Sequence, residues 1–138
     1  MITPCIIDVI VDKKEATIVF EDRNFIAFLD IHPLFPGHTL VAPKTHYETL
    51  YDLPENLVQP FFLLIQRMGK AVEAAMGASG SFIAINNTIS QSIPHLHVHV
   101  VPRNKKDGLK GFFWPRHRYE SEAQMLEIQQ KIVDKLKS

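Results

Sequence analysis

Three histidines alternate with apolar residues in the stretch "SQSIPHLHVHVVPR", residues 90 to 103. Successive side chains of a β-strand point to opposite faces of a sheet, so a period of two predicts a strand here. The three histidines, His95, His97 and His99, then share one face. The intervening residues form an apolar face that helices are expected to cover: Leu96, Val98 and Val100. The prolines at 94 and 102 are expected to end the run in turns.

The same reasoning places other strands along the chain. The stretch "ATIVFEDRNFIAFLD", residues 16 to 30, contains two β-rich runs separated by three polar residues, which is typical of a hairpin. The stretches "HTLVAP", residues 38 to 43, and "SFIAINN", residues 81 to 87, also read as strands. Most of these strands follow one another closely, which favours antiparallel pairing.

Two segments have a helical period instead. In "PFFLLIQRMGKAVEAAM", residues 60 to 76, apolar residues recur every three or four positions, and Gly77 follows as a stop. Pro60 must lie in the first turn of this helix or kink it. The predicted inner face is Phe61, Ile65, Met68, Val72 and Met76. A second helix is predicted from about Ser121, with a capping box of Ser121 and Gln124. Together these elements predict an α+β domain.

Composition excludes several functional classes. The 138 residues fit a single domain over residues 1–138, and 15 basic and 15 acidic residues cancel, so neither a nucleic-acid nor a membrane-surface partner is predicted. No apolar run approaches the roughly 20 residues that span a bilayer. Cys5 is the single cysteine, and the N-terminus lacks a signal-peptide pattern, so a cytoplasmic protein is expected.

The alternating histidines allow three interpretations. They are solvated side chains at a sheet edge, ligands of a metal ion, or a nucleophile with acid–base partners. Three ligands on one ion are disfavoured, because the first and third histidines of a strand lie roughly 13 Å apart. An imidazole that titrates near neutral pH suits attack on a phosphate.

The stretch "HLHVHVV" resembles the His-x-His-x-His-x-x signature of the histidine triad nucleotide-binding proteins, in which each x is apolar. The stretch "FEDRNFIAFLDIHPLFPGHTLVAPKTH", from Phe20 to His46, is similar to the nucleotide-pocket segment of that family. "INN" and "QSIPHLHVHVVPR" are similar to its phosphate site. The resemblance covers residues from about 5 to 103, and residues 104–138 form a less typical basic and aromatic loop followed by a helix.

This resemblance implies the chemistry of a hydrolase or nucleotidyl transferase. The middle histidine, His97, would attack the α-phosphorus of a purine nucleotide derivative, such as AMP phosphoramidate or a dinucleoside polyphosphate. Its other ring nitrogen would donate to a backbone carbonyl near His95, and water would then hydrolyse the nucleotidyl-histidine. Four further residues would bind phosphate, complete the triad or assist the leaving group: His95, His99, Gln91 and Ser92.

The resemblance also implies a nucleoside site. Asp30 corresponds to the carboxylate that accepts hydrogen bonds from the ribose, and Asn86 contributes to nucleotide binding. An apolar slot would surround the base: Ile6, Ile7, Ile10, Phe28, Leu29 and Ile31. The alternative for these apolar residues is ordinary core packing. His38 and His46 correspond to family histidines behind the site.

Some family members bind structural zinc through Cys-x-x-Cys, the histidine equivalent to His46 and the first triad histidine. This chain has "CIID", with Asp8 in the second place, so the resemblance implies a candidate zinc site of Cys5, Asp8, His46 and His95. The alternative is a free cysteine packed as a small apolar group. Catalysis through histidine requires no metal or organic cofactor.

The family fold implies a five-stranded, mainly antiparallel sheet with two helices, extended across a homodimer. The segment around the glutamine departs from the family pattern, because "NTIS" is short and Ser90 precedes Gln91, which leaves the leaving group open. Two other functions also stay open. One is a nucleotide-binding regulatory module with little turnover, and the other is a zinc-stabilised interaction protein.

The loop of residues 103 to 118 is rich in basic and aromatic residues. Its glycines, Gly108 and Gly111, allow it to fold back over the phosphate site or over that of a dimer partner. There Lys105, Lys106 and Lys110 would select a phosphate-rich leaving group, and Trp114 would stack on a base or cap the leaving group. The alternative is a solvated basic loop whose aromatic residues, Phe112, Phe113 and Trp114, contact a dimer partner or a helix.

Overall fold

The structure is a computed structural model that describes residues 4–109 and 116–137. Its contacts group the chain into two compact units, Met1–Asp107 and Gly108–Ser138. The single domain predicted over residues 1–138 stays a prediction. The predicted roles of Lys110, Gly111, Phe112, Phe113 and Trp114 concern residues that lie outside the described part of the chain.

The first unit is an α+β fold with one sheet. Its elements in chain order are α1 (Ile6–Lys13), β1 (Ile18–Glu21), β2 (Phe25–Leu29), β3 (Thr39–Pro43), α2 (Glu55–Met76), β4 (Gly80–Ile85) and β5 (Val98–Arg103). A 3₁₀ turn at Leu50–Asp52 precedes α2. The five strands pair in the order β1-β2-β3-β5-β4, and each pairing is antiparallel. The predicted five-stranded antiparallel sheet is confirmed.

The β1–β2 hairpin turns at the polar residues that the sequence indicated. The side-chain Oδ1 of Asp22 accepts hydrogen bonds from the backbone N–H groups of Asn24 and Phe25, at 2.8 and 2.7 Å. An aspartate that caps its own turn in this way favours a tight reversal of the chain. The predicted hairpin is therefore confirmed.

Strands β2 and β3, in the middle of the sheet, are buried on both faces, with α2 on one side and α1 on the other. Alternate residues of β2 and β3 point to opposite faces, so Phe25, Ala27 and Val41 pack in the cluster of α2. Their neighbours Ile26, Phe28, Leu40 and Ala42 pack in a second cluster with Ile7 and Ile10 of α1. The cavity described below lies on the α1 side of the sheet.

Helix α1 is a third helix in a fold for which the sequence analysis predicted two. It is rich in β-branched residues, which have low helix propensity and conceal a short helix. Its first turn is closed by a capping box, in which the backbone N–H of Asp8 donates to Cys5 Sγ and Asp8 Oδ2 accepts from the N–H of Cys5. Capping and burial of Ile7 and Ile10 override propensity here.

Helix α2 begins at Glu55, so Pro60 lies inside the helix beyond its first turn. Its inner face contains the predicted Phe61, Ile65, Met68 and Val72, all buried. Met76 is 44% exposed, so its predicted place in the core is wrong. The helix ends at Gly77 in the left-handed region, at φ 59°, as the sequence predicted.

The histidine run enters the sheet later than predicted. Strand β5 starts at Val98, so only His99 of the three histidines is a strand residue. Pro102 lies within β5 opposite Ser81 and does not form the expected turn. The apolar face is confirmed, because Leu96, Val98 and Val100 are fully buried in the cluster of α2.

The second unit contains α3 (Glu122–Leu136), which confirms the predicted C-terminal helix. Ser121 is its N-cap and accepts from the N–H of Gln124 at 3.0 Å. In a capping box, the Gln124 side chain would accept a hydrogen bond from the backbone N–H of Ser121. It accepts instead from the N–H of Glu120, at 2.7 Å, so only half of the predicted capping box is present. Among the residues that the structure describes, no helix is both long and apolar enough to cross a membrane.

Candidate active site

A cavity of about 360 Å³ lies on the α1 side of the sheet. Four of the predicted polar residues line it: Asp30, Ser92, His97 and His99. The predicted apolar slot lines the same cavity: Ile6, Ile7, Ile10, Phe28, Leu29 and Ile31. The fold thus brings together residues that are more than 80 positions apart in the sequence.

The cavity also contains residues that the sequence analysis missed: Glu15, Ala16, His32, Leu40 and Ile93. Leu40 pairs directly with Phe28 across β2 and β3, so the alternation of the predicted strands contained the signal for it. Glu15 and Ala16 follow α1, and without that helix the sequence offers no sign of their position.

Three predicted residues do not line the cavity. The Gln91 side chain is held outside the cavity, because its Nε2 donates to the carbonyl of the distant Glu48 at 2.6 Å and its Oε1 accepts from the N–H of Thr88 at 3.0 Å. Asn86 is exposed beyond the end of β4. His95 is fully buried and packs edge-on against His46, with ring centroids 4.7 Å apart.

The expectation that all three histidines share one face is therefore wrong for His95. The chain bends through residues 92 to 95, and the backbone N–H of His95 donates to the carbonyl of Ile93 at 2.8 Å. Strict alternation of faces requires extended strand geometry, which starts only at Val98. The rings of His97 and His99 do face the same cavity, with centroids 5.0 Å apart.

The tautomer of His97 follows from its hydrogen bond. Its Nδ1 lies 2.7 Å from the backbone oxygen of His95. A carbonyl oxygen only accepts, so Nδ1 carries the proton and Nε2 keeps its lone pair. The structure confirms the predicted backbone partner and leaves a nucleophilic nitrogen on a ring that lines the cavity.

His99 is oriented by His38, which lies behind it. The N–H of Leu34 donates to Nδ1 of His38 at 3.1 Å, so the proton of the neutral His38 ring is on Nε2. That Nε2 lies 3.0 Å from Nδ1 of His99. His99 therefore accepts at Nδ1 and keeps its Nε2–H as a donor for a ligand in the cavity.

Asp30 follows directly after β2 and lines the cavity, as predicted. Its Oδ1 accepts from the backbone N–H of His32 at 2.9 Å, and its Oδ2 lies 3.7 Å from Nε2 of His38. The contact of Oδ2 is too long for a hydrogen bond, and no other described residue donates one to this oxygen. Oδ2 can therefore accept hydrogen bonds from a ligand.

The predicted zinc ligands converge on the other side of His95. Cys5 Sγ lies 3.5 Å from Nδ1 of His95 and 3.8 Å from Nδ1 of His46. Asp8 lies 2.9 Å from Nδ1 of His46 and 3.2 Å from Nδ1 of His95. Tetrahedral zinc with normal bond lengths places its ligand atoms about 3.3 to 3.6 Å apart, so these four side chains fit the ion.

A hydrogen bond outside the four ligand atoms also orients one of the ligands toward a metal. Nε2 of His95 lies 2.8 Å from the carbonyl oxygen of Pro43, which fixes the proton on Nε2 and leaves the Nδ1 lone pair toward Cys5 and Asp8. A second cluster of Asp30, His38 and His99 also brings ligand atoms together. It suits a metal less well, because Nε2 of His38 carries the proton that it donates to His99.

Residues 11–106 match the family model described as the HIT domain. The chain belongs to the HIT family. Protein hit of Bacillus subtilis is 33% identical over 123 residues, which cover 87% of this chain and 85% of that protein. A crystal structure of a HIT family member from Bacillus subtilis superposes with a TM-score of 0.87, 32% identity and 96% coverage of both chains.

Relatives with named activities are also similar to this HIT protein. Adenylylsulfatase HINT3 of Arabidopsis thaliana is 33% identical over 66% of this chain and 47% of its own. The asymmetrical bis(5'-nucleosyl)-tetraphosphatase of Schizosaccharomyces pombe is 35% identical over 65% of this chain and 50% of its own. A zinc-bound histidine triad family protein from Mycobacterium smegmatis has 34% identity and a TM-score of 0.70, over 92% of this chain and 96% of that one.

Burial keeps the inner histidines of this HIT protein neutral. Burial and the neighbouring rings of His97 and His38 lower the pKa of His99 from 6.5 to about 4, although Asp30 opposes the shift. Burial also lowers the pKa of His38, again against the charge of Asp30. Neutral rings are required for the hydrogen-bond chain described above, in which each ring accepts at one nitrogen and donates at the other.

We expect the free energy of unfolding to fall when the pH is lowered from 7 to 5. The unfolded chain binds a proton at His99 near pH 6.5, whereas the folded chain binds it only near pH 4. The contribution of His99 to the free energy of unfolding is present above pH 6.5 and is lost as the pH falls toward 4. At pH 5, His99 alone has lowered the free energy of unfolding by about 2 kcal/mol. Urea denaturation at several pH values measures it. His99→Gln should flatten the dependence by that amount, and an unchanged slope in that variant would contradict this assignment.

Proposed function

We propose that this HIT protein hydrolyses or transfers the nucleotidyl group of a purine nucleotide derivative by attack of His97 on the α-phosphorus. The observation that carries the proposal is the hydrogen bond from Nδ1 of His97 to the backbone oxygen of His95, at 2.7 Å. It leaves the Nε2 lone pair on a ring that lines the cavity. The same cavity contains the Asp30 carboxylate, which can accept hydrogen bonds from a ribose, and the apolar slot. The names of two relatives, an adenylylsulfatase and a tetraphosphatase, support the same class of reaction.

The reaction divides one displacement into two. The Nε2 lone pair of His97 forms a bond to the α-phosphorus while the bond from phosphorus to the leaving group breaks, and the leaving group takes the bonding electrons. Water then attacks the phosphorus of the nucleotidyl-histidine and loses a proton to the medium. The bond from phosphorus to Nε2 breaks, and its electrons return to Nε2 as the lone pair of the neutral imidazole. The Nε2–H of His99 donates to a phosphate oxygen, which stabilises the charge that develops in both steps. Ser92, which lines the same cavity as the two histidines, assists the leaving group.

The nucleoside half of the ligand fits the remaining cavity wall. Asp30 accepts hydrogen bonds from the ribose hydroxyls, and the apolar slot packs on the faces of the base. A slot of this kind stabilises a flat aromatic ring chiefly through burial of apolar surface. We therefore expect a nucleotide to bind there more tightly than a simple phosphate ester.

Incubation with adenosine 5′-phosphoramidate and with diadenosine polyphosphates tests this function. The proposal predicts release of AMP from at least one of these substrates, with no added cofactor. Nucleotide binding without turnover would instead establish the regulatory module. Absence of both binding and turnover would reject the nucleotide site and favour the interaction protein.

We expect Asp30→Ala to weaken nucleotide binding by about 1 to 3 kcal/mol, which is the usual effect of losing hydrogen bonds to a charged group. Isothermal titration with AMP measures the change. A 2′,3′-dideoxy nucleotide should bind the wild type about as weakly, because it removes the other half of the same contacts. Asp12→Ala is the matched control, since Asp12 is exposed on α1 and does not line the cavity. Equal affinities of all three proteins for AMP would remove Asp30 from the site.

We also propose a homodimer. Strand β4 is an edge strand whose Ile83 is 45% exposed, and α2 beside it exposes Phe62 and Leu63. Pairing of two β4 edges would extend the sheet across the dimer and cover these residues. Sedimentation equilibrium tests this state, and a monomer at micromolar concentration would contradict it. The cytoplasmic location and the absence of a nucleic-acid partner stay predictions of the sequence.

A further inference from the structure

We propose that a metal ion held by Cys5, Asp8, His46 and His95 positions the nucleophile and anchors the wall of the base slot, so that metal binding governs the active site. The nucleophilic role of His97 rests on the function proposed above. The structural part of the inference concerns only the conformations of His97 and α1, which are measurable without turnover.

The first link runs through His95, which belongs to both sites. Its Nδ1 faces Cys5 Sγ and Asp8 Oδ1, at 3.5 and 3.2 Å, while its backbone oxygen accepts the Nδ1–H of His97 at 2.7 Å. The side chain of His95 is fully buried, and Pro43 holds its Nε2. A metal bond at Nδ1 therefore fixes the residue whose carbonyl orients the nucleophile.

This orientation needs an anchor, because residues 95 to 97 precede the hydrogen-bond ladder of β5. The nearest long-range backbone support is the bond from the N–H of Leu96 to the carbonyl of Tyr47, at 2.7 Å. Tyr47 directly follows the ligand His46. A metal bridging His46 and His95 thus clamps together the two segments that this hydrogen bond joins.

The second link runs through α1, whose N-terminal cap is built from two of the ligands. Cys5 and Asp8 form the capping box, and the helix that they cap carries the cavity residues Ile6, Ile7 and Ile10. A helix of 8 residues has little stability of its own. Attachment of its first turn to His46 and His95 therefore determines how firmly this wall of the base slot is held.

The charges in the cluster favour a cation. Nδ1 of His95 directs a lone pair at the carboxylate of Asp8, and His46 is placed with its Nδ1 on the same carboxylate. A cation between these lone pairs attracts them all and holds the side chains together. Without the cation, the Asp8 carboxylate of α1 and Nδ1 of His95 face each other as two hydrogen-bond acceptors. Loss of the metal should therefore loosen both links together.

The experiment compares the full chain loaded with Zn²⁺, the same protein after chelation, and the chelated protein reloaded with Zn²⁺. Nitrogen-15 NMR of the imidazole rings reports the tautomer of His97, and amide hydrogen exchange reports the stability of residues 6–13. Chelation should replace the pure Nδ1–H signal of His97 by a mixture of tautomers and lower protection of α1 by at least about tenfold. Reloading should reverse both changes.

Variants distinguish the effect of losing a metal ligand from a general loss of folding. His46→Ala should behave like the chelated protein, because this ligand is half-exposed and does not line the cavity. Its kcat should fall about 100-fold through misplacement of the nucleophile. Asp8→Cys, which supplies a stronger zinc ligand at the same position, should retain one equivalent of zinc, the Nδ1–H tautomer and protection of α1. His117→Ala is the histidine control and should match the wild type.

Three results would overturn the inference. The protein binds no Zn²⁺, or the chelated protein keeps the His97 tautomer and the protection of α1, or Asp8→Cys binds zinc and loses both. Chelation of the wild type provides the comparison if His46→Ala does not fold. Failure of the proposed function would appear differently, as a protein whose tautomer and exchange respond to zinc but which releases no nucleotide product.

Discussion

His97→Ala should reduce turnover by at least about 10⁴-fold while nucleotide affinity stays within about tenfold. The substitution removes the Nε2 lone pair that is proposed to attack phosphorus, and no other described histidine of the cavity has its Nδ1 on a backbone carbonyl. Under the proposed function, binding depends mainly on the apolar slot and Asp30, which the substitution leaves in place. Steady-state kinetics with the best substrate and titration with AMP measure the two effects separately.

The control is His117→Ala, which changes an exposed histidine of the second unit and should retain wild-type turnover. Substantial activity in His97→Ala would show that water attacks the α-phosphorus directly. A loss of affinity as large as the loss of turnover would instead show that His97 serves binding.

His99→Phe should lower kcat by about 10²- to 10³-fold, the usual cost of removing one donor to a developing negative charge. Phenylalanine keeps the ring but removes Nε2–H. His99→Gln is the matched variant, because its amide places an N–H near the position of Nε2, and it should retain activity within about tenfold of the wild type. Both variants lose the bond to Nδ1 that His38 donates, so that loss cancels in the comparison.

Equal losses of kcat in the two variants would contradict a donor role for His99 and would assign the ring to packing. Folding of both proteins is checked by thermal denaturation at pH 7, where the wild-type ring is neutral. A change in KM alone would also contradict the account, because the donor is proposed to act on charge that develops during the displacement.

Local sequence patterns predicted most of the sheet, and the resemblance to the histidine triad family predicted the apolar residues of the cavity. The period of two in β2 and β3 placed Phe28 on one face, and Asp30 was recognisable as a carboxylate directly after a buried strand. These features depend on neighbours in the chain and on the resemblance of "HLHVHVV" to the triad signature. The four candidate zinc ligands were also named from the sequence, and the structure places them within 3.8 Å of their partners.

The features that sequence reasoning missed depend on contacts between distant segments. Helix α1 is stabilised by burial of Ile7 and Ile10 against β2 and β3, which its β-branched sequence does not reveal. The bend before β5 directs His95 away from the cavity, and no period in the sequence marks that bend. The amide of Gln91 is held by the carbonyl of Glu48, a contact across 43 positions.

His95 illustrates why a shared motif does not imply a shared role. It has the same spacing as the other two histidines, but its ring is directed at Cys5 and Asp8, and only its backbone oxygen reaches the active site. A ring and a carbonyl of one residue therefore serve two sites. We expect substitutions of His95 to affect both, which makes the more remote His46 the better probe of the proposed metal site.

The measurement that tests the central claim most directly is the mass of the protein quenched in acetonitrile during turnover of adenosine 5′-phosphoramidate. A covalent adenylyl group should appear on the wild type, and fragmentation should locate it on His97. His97→Ala should carry none under the same conditions. Rapid turnover without any adduct at millisecond quenching times, or an adduct located on another residue, would contradict attack by His97.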